Sequence, residues 1–299
     1  MFSKTIKRTT AGMLFPFLFY TKSYLLSKPF YSGLGSILMF HRVCPASSKP
    51  RIKGNAGLEV TPEYLENTIH FLRQKNYEIV SLTRAAQILN ESHKKKKFAV
   101  LTFDDGYADN YLHAYPIFKK YEVPFTIYVT THFPDGEAIL WWYLLEDIVL
   151  KENQIKLELN GRKYQYSCSN AWKKDRVYHD IHNLILNGPS KQLNQRIQQV
   201  FQNYDISFRA KTSELSLTWE QIREMSKDPL VEIGAHTIHH HALNKLPESA
   251  VQEEMEGSRD RIESEIGKKV EHFSYPFGTR NEAGEREFEM AKQCGFKTL

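Results

Sequence analysis

Two neighbouring acids, Asp104 and Asp105, end the apolar run Phe98-Ala99-Val100-Leu101-Thr102-Phe103 and are followed by Gly106. Such a run reads as a buried strand of a parallel sheet. It would deliver both carboxylates to the strand's C-terminal end, where α/β folds do their chemistry. Adjacent carboxylates repel, so burying both calls for a shared proton or cation. A second concentration of reactive groups, His236-Thr237-Ile238-His239-His240-His241, puts four of the chain's 12 histidines into six positions, directly after the apolar run Leu230-Val231-Glu232-Ile233-Gly234. His236 and His240 stand four apart, so one helical turn would present both on one face. Two imidazoles and one carboxylate make a facial set that leaves coordination positions open for water and substrate. By spacing alone, His239 or His241 could replace His240.

The elements that must position these groups alternate. Ser36–Phe40 reads as a first buried strand ending at His41. Thr61 caps a helix that starts at Pro62 and has Leu65, Ile69, Phe71 and Leu72 as its apolar face. Tyr77–Leu82 reads as a strand, and Thr83 opens a helix through Leu89. After the Asp-Asp strand comes a helix over 110–121, with Asp109 and Asn110 read first as its caps. A strand follows at Pro124–Val129. Strands alternating with helices imply parallel βα units. The rhythm breaks after Thr131. Residues 135–215 contain Trp141-Trp142, a hairpin turning at Asn160-Gly161 and a Gln- and Asn-rich helical region, and read as an inserted α+β segment forming a lid or cap. The alternation resumes at Leu217, with a helix capped by Thr218, a long charged helix over 247–266, a short strand and turn at Phe273–Gly278, and a final helix over 282–294.

Composition narrows the class. With 41% hydrophobic and 25% charged residues the chain has the balance of a soluble globular protein. The net charge of +5 is concentrated in Lys94–Lys97, which reads as a solvated turn, and no nucleic-acid module is recognisable. The three cysteines, Cys44, Cys168 and Cys294, have no CxxC spacing, which argues against a disulfide framework and a zinc–thiolate site. Lys4, Lys7 and Arg8 precede an apolar stretch, Ala11–Tyr20, that is too short to span a bilayer. Residues 1–35 therefore read as a helical segment that packs on the domain or makes peripheral contact with a membrane. A signal or anchor is the second reading. The expected location is cytoplasmic or peripheral to a membrane, ahead of secreted or periplasmic.

Thr102-Phe103-Asp104-Asp105-Gly106, His236-Thr237-x-x-His240 and Tyr275-Pro276-Phe277-Gly278, in this order, resemble the motifs of the polysaccharide deacetylase (NodB homology) family of carbohydrate esterases. Leu38-Met39-Phe40-His41-Arg42-Val43 resembles the family's first strand. The likeness covers roughly 36–134 and 217–299 and leaves the insertion unmatched. It implies a distorted, incomplete (β/α) barrel over 36–299 that binds a divalent metal, zinc first, with cobalt, nickel or manganese as alternatives. It further implies Asp105, His236 and His240 as ligands, Asp104 as general base and Phe277 as backbone donor to an oxyanion, with Tyr275 and Pro276 shaping the groove. A metal that lowers the pKa of bound water to about 7, beside a free carboxylate, is suited to amide hydrolysis at neutral pH.

The chain also departs from the family. Ser274 stands where an arginine commonly orients the base; Arg42 or Arg280 are the substitutes in the sequence. His241 stands where proline is common. The family's late histidine, its general acid, has no counterpart, and the chain stops at Leu299 about where another strand should begin. The expectation is a fragment, or a different acid, with His41 and His132 as candidates by position. Trp141 and Trp142 are candidates to line a sugar cleft. The expected activity is removal of N-acetyl groups from a cell-surface polysaccharide or its glycan precursor. The alternatives are a carbohydrate-binding domain without catalysis and a metal amidohydrolase acting on a non-sugar amide.

Overall fold

The computed structural model describes residues 16–18, 20–26, 33–91, 96–188 and 192–298. The basic start of the N-terminal segment, and Lys94 and Lys95 of the lysine run, lie outside them. Among the described residues no helix is long and apolar enough to cross a membrane.

The centre is a parallel sheet. β1 (Gly35–Phe40) runs into β2 (Arg42–Val43), which pairs with β3 (Glu59–Val60). α1 (Pro62–Gln74) follows, with the Thr61 hydroxyl accepting from Tyr64 N–H and Leu65, Ile69 and Leu72 buried. Phe71 points outward and is 56% exposed. After β4 (Glu78–Ile79), α2 (Leu82–Asn90) is capped by Ser81 rather than Thr83; the Thr83 hydroxyl lies 3.0 Å from His272 Nε2. β5 (Phe98–Phe103) has all six residues buried. A π-helical turn, Asn110–Ala114, leads into α3 (Tyr115–Tyr121) and β6 (Phe125–Val129).

Beyond β6 the chain builds a second body: α4 (Trp141–Lys151), the β7 (Gln154–Leu159)–β8 (Arg162–Ser167) hairpin, α5 (Ala171–Leu186), α6 (Leu193–Phe201) and α7 (Phe208–Leu215). Asn160 and Gly161 take φ of +52° and +75°, the signs that a two-residue type I′ turn requires. Leu144, Ile148, Ile155, Leu157, Ile181 and Val200 pack into a core separate from that of the sheet. α8 (Trp219–Ser226), opened by a Thr218–Gln221 capping box, β9 (Val231–Ala235), α9 (Glu248–Ile266) and α10 (Glu285–Gln293) complete the chain.

The sheet order is β1-β5-β6-β9. β4 lies beside the start of β5, and β6 lies beside its end. Bridges Ala235–Phe273 and His272–Thr298 extend the parallel run, so the barrel stays open among the described residues. β5 therefore has neighbours on both edges, and Phe103 packs against Phe40, Phe118 and Phe125. Burying such a ring contributes about 2 kcal/mol. Two expectations need correction. β1 is an edge strand rather than a buried one, with Ile37 and Met39 60% and 54% exposed, because β5 is its single strand partner among the described residues. Phe273–Gly278 forms single bridges and a turn instead of a strand.

Candidate active site

The end of β5 turns sharply. Asp104 N–H still donates to Phe40 O at 3.0 Å, but Asp105 and Gly106 take φ of +77° and +96°. This left-handed pair breaks the strand's alternation and holds both carboxylates at the sheet's end, where Asp105 O accepts from Thr130 N–H at 3.2 Å. His236 leaves β9 at the same end, its N–H donating to Val129 O. Its Nδ1 faces the Ser274 carbonyl at 2.8 Å and so must be the protonated nitrogen, which leaves Nε2 as a lone-pair donor directed at Asp105.

His240 joins them by another route than the helical turn expected from its spacing. Residues 237–241 form a strained loop in which Thr237 and His240 take φ of +67° and +60°, and His240 N–H donates to Thr237 Oγ1 at 3.0 Å. Left-handed conformations of non-glycine residues cost on the order of 1–3 kcal/mol each, and β-branched Thr237 is a pronounced case. Asp105, Thr237, His240 and Phe277 are half of the eight non-glycine residues with positive φ among those described. Strain is thus concentrated where side chains must converge.

They converge on Asp105 Oδ1, which lies 3.5 Å from His236 Nε2 and 3.2 Å from His240 Nε2. All three donor atoms fall within 4.8 Å of one another. Asp105 is 5% exposed, yet Oδ1 makes no hydrogen bond of acceptable geometry. A buried carboxylate oxygen facing two ring nitrogens without bonding to them fits a divalent cation between the three. Burial alone would raise the pKa of Asp105, but His240 and His236 outweigh it and hold its carboxyl well below the usual carboxylate range. Of the three histidines that spacing left open, His240 is the one that reaches Asp105. His239 and His241 turn to Glu254 instead.

Asp104 is equally buried and differently partnered. Its Oδ2 accepts from the Ser274 hydroxyl at 3.3 Å and its Oδ1 is unpartnered. Burial, and the neighbouring Asp105 charge, push its pKa upward, against the pull of His236, His41 and His240. It is a carboxylate with a free oxygen, poised to accept a proton.

Arg42 does not substitute for the family's arginine. Its guanidinium is bound to Asp109 at 2.7 Å and Glu59 at 3.1 Å, and is flanked by the rings of Tyr107 and Tyr143. Asp109 is accordingly no helix cap, since it also takes Val43 N–H. Arg280 is exposed.

Phe277 stands in a left-handed turn with its ring 4.9 Å from that of His240, and no acceptor takes its N–H among the described residues. Pro276 is buried beneath it. Tyr275 packs edge-on against Phe273 and Phe288 and supports the turn. His41 sits at the end of β1, close to Asp104, and its carbonyl accepts from Asn110. His132 is turned elsewhere, its ring 4.1 Å from His239 and its Nε2 3.3 Å from Glu137. Trp141 is 5% exposed and fills the core of the second body beside His182, because its helix needs that face for packing. It lines no open cleft. Trp142, half-buried, leans on Trp141 and Tyr143.

Glu254, one acid among many in a charged helix, carries no local signal in the sequence, yet it anchors His239. Ser274 stands out in the sequence as a departure from the motif, but its double contact, carbonyl to His236 and hydroxyl to Asp104, is visible only in the structure.

An open parallel α/β barrel with this Asp-Asp turn and histidine loop belongs to the polysaccharide deacetylase family, whose model matches residues 91–184 and 187–299. The Bacillus subtilis (strain 168) protein YxkH, whose own assignment as a polysaccharide deacetylase is provisional, is 24% identical over 87% of this chain. The chain spans 62% of that relative's length. Two solved structures share the fold. The Streptococcus pyogenes deacetylase PplD, in complex with acetate, aligns with a TM-score of 0.55 at 19% identity, over 88% of this chain and 80% of its own. A de-N-acetylase from Aggregatibacter actinomycetemcomitans aligns with a TM-score of 0.53 at 19% identity, over 88% and 85%.

Proposed function

We propose that this chain is a metal-dependent hydrolase that removes N-acetyl groups from a cell-surface polysaccharide or its glycan precursor. The observation that carries the reading is the division of labour between adjacent carboxylates: Asp105 faces two imidazoles, while Asp104 keeps a free oxygen beside them. Asp105, His236 and His240 would hold the metal, with zinc as the first choice. When bound, it supplies Lewis acidity and makes water a nucleophile at neutral pH. Asp104 takes the proton from the attacking water with its unpartnered Oδ1. Ser274 orients the Asp104 carboxylate and, through its carbonyl, the His236 ring. The Phe277 N–H donates to the oxygen that gains charge as the amide carbonyl is attacked. His41 is the better placed of the two candidate acids for the leaving amine, since His132 is occupied by Glu137 and His239.

The N-terminal segment is assigned a peripheral membrane contact, in keeping with the exposure of Phe17, Tyr20 and Leu26. Co-sedimentation with anionic vesicles tests it; recovery of the chain in the supernatant would refute it.

The activity is tested by acetate release from a panel of N-acetylated oligosaccharides with zinc or cobalt added. Release supports the assignment. Metal binding without release from any substrate overturns it, and glycan binding in that case would mark a carbohydrate-binding domain.

A further inference from the structure

We propose that His239, His241 and Glu254 form a second divalent-metal site, separate from the Asp105 centre and built on the opposite side of the same loop. The loop's left-handed residues, Thr237 and His240, send its histidines in alternate directions. His236 and His240 face Asp105, while His239 and His241 face α9. There both turn Nδ1 to a single atom, Glu254 Oε1, at 2.6 Å and 3.4 Å, with their rings nearly parallel at 6° and 5.2 Å apart. The three donor atoms lie within 4.8 Å of one another.

Glu254 is fixed before any ligand arrives. It is 5% exposed, and its Oε2 accepts from Ile238 N–H at 2.9 Å and His239 N–H at 3.0 Å, which leaves Oε1 directed at the two rings. No lysine or arginine ion-pairs with it among the described residues. A buried carboxylate without a permanent cation, met by two imidazole nitrogens, is a donor set for zinc, nickel or cobalt rather than for a hard ion such as magnesium. Donors bound to zinc at 2.0–2.1 Å stand about 3 Å or more apart. His241 already satisfies that spacing, and the His239 ring need withdraw by only a few tenths of an ångström. Both side chains are 43% exposed, so they can adjust, and the remaining coordination positions open to solvent. A metal here would cross-link α9 to the loop that carries His236 and His240. The site is structural in character and independent of whether the chain releases acetate.

The test is metal stoichiometry on the full chain, stripped with a chelator, reloaded with zinc, desalted and read by elemental analysis. The wild type should retain two equivalents. His239→Ala/His241→Ala should retain one, and Asp105→Ala/His236→Ala should also retain one, held at the new site. Nickel in place of zinc should give the same pattern. No metal in Asp105→Ala/His236→Ala while its circular dichroism is unchanged, or the same metal content in His239→Ala/His241→Ala as in the wild type, would overturn the proposal and leave Glu254 balanced by a protonated His239. If Asp105→Ala/His236→Ala fails to fold, Asp105→Asn/His240→Gln is read by the same criterion. Acetate release is scored separately, so a failed deacetylase assignment with two equivalents bound leaves this site standing.

Discussion

The Ser274 hydroxyl donates to Asp104 Oδ2 at 3.3 Å, at the position where the family commonly places an arginine. A neutral donor at that distance orients the carboxylate without adding a positive charge to it. The carboxylate is thus held by a neutral partner on one oxygen, while its other oxygen stays free to take a proton.

Ser274→Ala should lower kcat/KM by about tenfold, the worth of one hydrogen bond to a charged group. Bound metal should not change, because the backbone carbonyl that holds His236 remains. Steady-state kinetics together with metal analysis check both halves. Metal loss would mean that the side chain supports the ligands instead.

Arg42→Met should cost about 3–5 kcal/mol of stability, because it leaves Asp109 buried and unpaired. Adding Asp109→Asn should recover part of that loss. Chemical denaturation of the single and double variants measures it; a stable Arg42→Met protein would show the buried network to be dispensable.

Trp141→Ala should destabilise by about 3–5 kcal/mol through the cavity left in the core of the second body. The KM for glycan should not move. A raised KM at unchanged stability would return Trp141 to the substrate cleft.

Stability in the presence of chelator should vary with pH around Glu254 and His239. Hydrogen bonds from His239 and His241 outweigh burial and depress the Glu254 pKa below its ordinary 4.5, so its contribution is present above 4.5 and lost as pH falls. The hydrogen bond to Glu254 raises His239 above its ordinary 6.5, so that contribution is present below 6.5 and lost as pH rises through the shifted value. The pair contributes most between about 4.5 and 6.5. Thermal unfolding across pH 3–9 should therefore give Glu254→Gln a flatter profile than the wild type. Parallel profiles would contradict the coupling.

Much of this organisation is legible in sequence because it rests on local patterns. The Phe98–Phe103 run dictates the central strand, Asn160-Gly161 the hairpin, and Thr218 the start of a helix. The Asp105–His236–His240 set is legible by residue type and motif, but its geometry is not. A four-residue spacing suggests a helix, whereas a loop with two left-handed residues brings the rings together, and tertiary packing alone holds such a loop. The fate of Arg42 and Trp141 depends on partners distant in sequence, Asp109 and the helices of the second body, and no pattern around either residue reveals them.

The most direct test of the central claim pairs metal content with acetate release in Asp104→Asn. The account predicts unchanged metal and a loss of about 100-fold or more in turnover, since the base is gone and the ligands remain. Turnover within tenfold of the wild type, or loss of metal, would contradict the division of labour between Asp104 and Asp105.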